Sequence, residues 1–176
     1  VGTRKPSGVG VSCARRVSRE LSERGIVLVS GLARGIDSAA HRGAIDTGGC
    51  TIAVLGHGCD YIYPHAHFNL ACEMLQNGGA LVSEYPPGTR PAPFRFPERN
   101  RIISGMSEGL MLVEAPEKSG ALITVDFALE QGRDVFVMPE TLNSRRNEGG
   151  RQLYEHGAPA MDNAVEILRY LRGDYA

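Results

Sequence analysis

Five short runs, Ile26–Val29, Thr51–Leu55, Ala80–Ser83, Leu110–Val113 and Val135–Val137, are almost wholly apolar, and each gives way to a glycine-rich or polar loop. A run this short, with no in–out alternation, suits a strand buried on both faces, which is the condition of a parallel sheet. The stretches between them carry helical periodicity. Strands alternating with helices imply an α/β fold with an open, mostly parallel sheet and helices on both faces. Ligands of such sheets sit beyond the carboxyl ends of the strands. The loops Ser30–Asp37, Gly56–Gly58, Glu84 onward, Glu114–Gly120 and Pro139–Asn147 all fall at that edge.

The helices are read from period and punctuation. Val9, Cys13, Val17 and Leu21 recur every four residues and predict an amphipathic helix over Val9–Arg24, capped by Ser7 and ended by Gly25. Asp37 or Ser38 caps a second helix through Ala44, stopped at Gly48–Gly49. Further helices are expected over Phe68–Gln76, Glu98–Met106, Gly120–Gln131, Gly149–His156 and Asn163–Arg172. Tyr85–Pro97, with five prolines, reads as a long irregular connection, which is uncommon unless functional. The segment Met161–Leu171 separates apolar and charged faces at helical spacing; it packs on the core or meets a partner. The 176 residues read as one domain spanning 1–176.

A net charge of −1 argues against a general basic coat but leaves room for a local basic site. Arg90, Arg95, Arg99 and Arg101 fall within twelve residues, interleaved with Phe94 and Phe96. Cys13, Cys50, Cys59 and Cys72 form no CxxC and read as buried, reduced thiols of a cytosolic protein. Cys59, Asp60, His65 and His67 lie close together, but their spacing matches no familiar ligand pattern, so no metal is expected. No stretch approaches the roughly 18 apolar residues of a membrane span.

Phe96 to Val125 carries the main chemical signal. A polar segment, Arg99-Asn100-Arg101, precedes a buried strand that ends on Glu114; a loop then leads to Ser119-Gly120-Ala121 at the head of a helix. Unbonded first-turn amides and the helix dipole make such a helix start an anion site. Gly31 and Gly35, four apart, fit neither the dinucleotide fingerprint nor a P-loop. They make either a tight turn or the wall of an anion site. Arg99-Asn100-Arg101 is an exposed helix end or, with the neighbouring rings, a nucleic-acid patch in which aromatics stack bases and guanidinium groups hold phosphates. Glu114 can act as a general base or order its loop. His41 reads as a packed or capping histidine. No GxSxG elbow supports a serine triad.

Together, SGLARGIDSAAHRGAI from Ser30, TIAVLGHGCDYIYPHAH from Thr51, GGALVSEYPPGTRPAPFRFPERNRIISGMS from Gly78, VEAPEKSGALITVDFALEQGRDVFVMP from Val113 and a late HGAPAMDNAVEIL resemble the DNA-processing protein A family, also called Smf. The resemblance covers almost the whole chain. It implies an extended Rossmann-like fold that binds single-stranded DNA, protects incoming strands during natural transformation and loads the RecA recombinase onto them. It also implies a cytoplasmic homodimer with no cofactor, no metal and no established enzymatic activity. By motif, it assigns DNA contacts to Thr3 and Arg4, to Ser30, Gly31, Arg34 and Gly35, to Arg99, Asn100 and Arg101, and to Ser119, Gly120 and Ala121. The chain opens where that family's first strand should be ending, which implies a sheet short of most of one strand. The flanking helical and winged-helix-like domains common in the family have no counterpart in these residues. Pro139-Glu140 stands where the family commonly has Pro-Gly. A second reading is a nucleoside-monophosphate phosphoribohydrolase on a related fold, but its Gly-Gly-x-Gly-Thr loop is replaced by Glu-Lys-Ser-Gly-Ala.

Overall fold

Ser7 starts the first helix as its sequence suggests. Its hydroxyl accepts the Gly10 amide at 3.0 Å, and α1 runs over Gly8–Ser22 with Cys13, Ala14 and Val17 buried on one face. A computed structural model describes residues 1–174 of the chain. β1 (Leu28–Ser30), β2 (Thr51–Leu55) and β3 (Ala80–Ser83) form a parallel sheet in that order, with Val29 opposite Ile52 and Ala53 opposite Leu81. β4 (Gly109–Leu112) and β5 (Asp134–Val137) form a second parallel pair, Leu110 opposite Val135.

The class is the expected Rossmann-like α/β arrangement, but the sheet is in two parts. Val1–Thr3 runs beside the end of β4: the Val113 amide donates to Val1 at 3.0 Å and the Thr3 amide to Glu114 at 2.7 Å. Thr3 then accepts the Ile36 amide, joining β4 to the start of α2 (Ile36–Ile45). An apolar cleft of about 350 Å³ lies between the β1 and β4 segments, lined among others by Leu28, Val29, Met106 and Leu110.

The remaining helices are α3 (Phe68–Gln76), α4 (Arg95–Gly105), α5 (Gly120–Glu130), α6 (Glu148–Glu155) and α7 (Ala164–Leu171); short 3-10 turns cover His65–His67 and Pro139–Thr141. The irregular connection is shorter than expected, because α4 starts at Arg95 and takes in Pro97. Proline is tolerated in a first turn, where its missing N–H would have no intrahelical partner. Gly35, with φ 83°, and not Asp37 or Ser38, occupies the cap position of α2. Asp37 lies inside the first turn and accepts the Ala33 amide at 3.4 Å.

Three apolar clusters hold these layers. Phe136, Ile36, Val17 and Met138 meet Met161 and, from α7, Ile167, so the inner face of the late segment packs on the core. Leu32, Leu55, Leu70 and Met74 fill the space between β2 and α3, and Leu112, Val125 and Val135 the space under α5. Each such side chain contributes roughly 1.5–3 kcal/mol when fully buried. Among the described residues no helix is long and apolar enough to cross a membrane. Cys13 is buried as expected, but Cys50 and Cys59 are exposed, against the expectation of buried thiols, because they lie just before β2 and in the loop after it, and Cys72 on α3 is half-buried.

Candidate nucleic-acid interface

The carboxyl edge opens into a cleft of about 680 Å³ whose walls come from both parts of the sheet. Thr3, Arg4 and Lys5 form one side; Ala33 and Asp37 follow β1; Phe96, Arg99 and Asn100 come from α4; Lys118, Ser119, Gly120 and Ala121 come from the head of α5. Ser119 caps α5 by accepting the Ala121 amide at 3.2 Å, and no acidic residue occupies the first turn. The positive end of the helix dipole therefore meets the cleft with no carboxylate in its own first turn, and Asp37 is the acidic residue on the opposite wall. Arg4, Lys5, Lys118 and Arg146 are exposed cations on the same cleft.

Of the residues assigned from sequence, Thr3, Arg4, Arg99, Asn100, Ser119, Gly120 and Ala121 meet around this cleft. Gly31 and Arg34 line an adjoining recess of about 70 Å³ with Arg4, Tyr63 and Phe96. Gly35 acts by shape: a Cβ there would overlap the Thr3 carbonyl and sit 2.8 Å from Pro6 Cδ, so only glycine lets the Thr3–Pro6 segment pass. Ser30 is buried, and its hydroxyl has no hydrogen-bond partner. Arg101 lines neither space; it is half-exposed and pairs with Glu84.

Arg99 departs most from the picture of an exposed phosphate ligand. It is 4% exposed, and its Nη1 donates to the Gly31 carbonyl at 2.9 Å and to that of Val54. It ties the ends of β1 and β2 from behind the loop. Burial pulls its pKa down and the Asp37 carboxylate opposes this, but a guanidinium stays charged. Asn100 donates to the Gly120 carbonyl at 3.3 Å, joining α4 to the helix head.

Lys5, Lys118 and Arg146 were missed as site residues. Their signal was present: Lys118 immediately precedes Ser119-Gly120, and Arg146 belongs to the basic loop after Pro139. Phe96 anchors an aromatic patch. The Arg4 guanidinium lies 5.5 Å from its ring centre, and Tyr63 is tilted against it at 5.6 Å. Arg90 stacks over Tyr61 at 4.5 Å, and Arg95 lies between Phe94 and Tyr85.

Glu114 is fully buried and does not line the cleft. Its Oε2 accepts the Ser7 amide and hydroxyl at 2.8 and 2.9 Å, and its Oε1 accepts Ser144 at 3.1 Å. This geometry orders the loops around α1 and fits the second of its two readings. Among the described residues no cluster of histidine, cysteine or acidic groups is arranged to hold a metal. Asp60 instead accepts the Gly88 amide, and His67 bonds the Leu32 carbonyl.

Leu32, in the loop after β1, has φ 56°, the one non-glycine residue with positive φ among the described residues. That conformation costs a leucine roughly 1–2 kcal/mol. Its side chain is fully buried beside Leu70 and Met74. The buried His41 is placed as a packed histidine: its Nε2 lies 3.3 Å from the Leu32 amide and its Nδ1 lies 2.7 Å from Thr51 Oγ1. Thr51 donates its own proton to the Leu28 carbonyl at 2.8 Å. Thr51 must then accept from His41, which fixes the proton on Nδ1 and leaves Nε2 as the acceptor for Leu32.

Fold and cleft together define a Rossmann-like domain with a cation-lined cleft at its carboxyl edge. The particular assignment follows from comparison with known proteins: residues 1–172 match the DNA recombination-mediator protein A family, and the chain belongs to it. It is 45% identical to protein Smf of Escherichia coli over 172 residues, 98% of this chain and 46% of that protein. The solved DNA processing protein A of Streptococcus pneumoniae is 41% identical with a TM-score of 0.86, covering 96% of this chain and 59% of that one. The Helicobacter pylori protein, solved to describe its single-stranded DNA binding mode, is 29% identical with a TM-score of 0.87, covering 100% of this chain and 80% of that one. The chain spans about half the length of the curated relatives it matches, for example 46% and 57%.

Proposed function

We propose that this chain is the single-stranded DNA-binding domain of a cytoplasmic recombination mediator, acting as a homodimer that protects incoming strands and loads RecA onto them during natural transformation. The strand's phosphates enter the 680 Å³ cleft at the head of α5. Arg4, Lys5, Lys118 and Arg146 supply charge, while Ser119, Gly120 and Ala121 supply the helix terminus. The observation that carries this reading is a helix start with no acidic residue in its first turn, ringed by exposed cations drawn from three separate segments. The likeness to the Helicobacter pylori relative, whose structure was solved to describe its single-stranded DNA binding mode, supports it.

The activity is binding, without bond cleavage. Glu114, the candidate general base, is held by Ser7 and Ser144 away from the cleft, which favours binding over the phosphoribohydrolase reading. Fluorescence anisotropy of a labelled single-stranded oligonucleotide, with duplex competitor at two salt concentrations, tests the proposal. Expected is salt-sensitive binding that prefers single strands and depends little on sequence. Equal preference for duplex, or base release from AMP, would overturn it.

A further inference from the structure

We infer that His41 and His67 are positioning residues for strand binding: they grip the two peptide groups of Leu32 and so hold the Gly31–Gly35 wall of the cleft in its binding shape. The inference rests on the reading of the cleft as a single-strand site. His41 takes the Leu32 amide at 3.3 Å, and His67 Nδ1 donates to the Leu32 carbonyl at 2.8 Å. The two imidazoles come from different elements, α2 and the turn before α3. Between them, Leu32 turns the chain through the left-handed region, and the next residues, Ala33 and Arg34, line the cleft or its recess. Neither histidine is itself among the lining residues.

A leucine released from these bonds relaxes toward an ordinary conformation and carries Ala33 and Arg34 with it. The relay from Leu28 through Thr51 leaves His41 a single acceptor, so a proton on Nε2 would set donor against donor at the Leu32 amide. The charged groups that bear on His41 are Asp37 on its own helix, His67, Arg99 on α4 and the Val1 ammonium.

Substitutions can separate grip from general packing. Glutamine at 41 places an amide oxygen near the position of Nε2; asparagine reaches only the position of Nδ1 and keeps the Thr51 contact without the Leu32 acceptor. His67 is half-buried at the surface, so His67→Ala provides a variant with little risk to folding. With a labelled oligothymidylate, His67→Ala and His41→Asn should each weaken binding about fivefold, the worth of one hydrogen bond. His41→Gln should restore most of the loss. Binding by the parent should also weaken on acidification through a component absent from His41→Gln. Wild-type affinity in folded His67→Ala and His41→Asn, or equal loss in the Gln and Asn variants, would overturn the inference. Arg4→Ala and Lys118→Ala serve as the separate check on the cleft: if they too bind normally, the strand-site reading falls, whereas loss in them alone removes only the histidine grip.

Discussion

Gly31 and Arg99 fit one another as a lock. The Gly31 carbonyl accepts from Arg99 Nη1 at 2.9 Å, and a Cβ at residue 31 would sit 2.6 Å from both terminal nitrogens of that guanidinium. The glycine thus admits a buried charge directly behind the cleft wall.

Gly31→Ala should therefore destabilise the fold by about 2 kcal/mol, because the guanidinium cannot move without losing its carbonyl partners. In an Arg99→Met background the same alanine should cost far less. Urea unfolding of the two single variants and the double variant measures this coupling, and strict additivity would refute it.

The exposed cations make a different prediction. Arg4→Ala, Lys118→Ala and Arg146→Ala should each weaken oligonucleotide binding and lower the slope of log affinity against log salt by about one. Arg101→Ala, whose side chain pairs with Glu84 outside the cleft, should leave that slope unchanged. Anisotropy titrations over a salt series decide between the two behaviours.

His41 gives stability a pH dependence. Burial lowers its pKa from 6.5 to about 4, so the unfolded chain binds a proton in this interval that the folded chain excludes. Stability is thus fully present above the unfolded value and falls as pH drops from 6.5 toward 4, by about 3 kcal/mol in all. His41→Gln should remove this component. Denaturant midpoints of both proteins between pH 7 and 4 would show it as a diverging pair of curves.

Gly43 tests the packing of α1 on α2. Glycine-to-alanine changes inside helices normally stabilise by up to about 1 kcal/mol. At Gly43, however, a Cβ would overlap the Arg15 carbonyl and lie 2.9 Å from Ser18 Cβ. Gly43→Ala should instead lower stability by about 1–3 kcal/mol. Gly8→Ala, where nothing lies within 4 Å, should be neutral or mildly stabilising. Thermal melts of the two variants should move in different directions.

The strands and most helices were legible because their signals are local: an apolar run, a cap, a closing glycine. Ser7 and Ser119 cap helices as their positions suggest. Arg99 and Arg101 were not separable by such means. They sit two apart on one helix, and only the packing of α4 on β2 decides that one is buried and the other exposed. The Leu32 conformation was hidden for a similar reason. A leucine between Gly31 and Ala33 gives no sign of positive φ, and the histidines that hold it are distant in sequence. Asn147, read as part of a basic loop, is fully buried, accepting the Ala115 amide at 2.8 Å and donating to Thr141 at 2.9 Å. No periodicity marks a side chain that bridges two loops.

The division of the sheet into two parallel parts has a consequence for the ligand itself. One wall of the cleft follows β1 and the other follows β4, so an occupant contacts both parts at once. A bound strand then works as a staple across a seam. Ligation should slow amide exchange in β1 and β4 together, well beyond the residues touched, and raise the melting temperature in proportion to the logarithm of strand concentration.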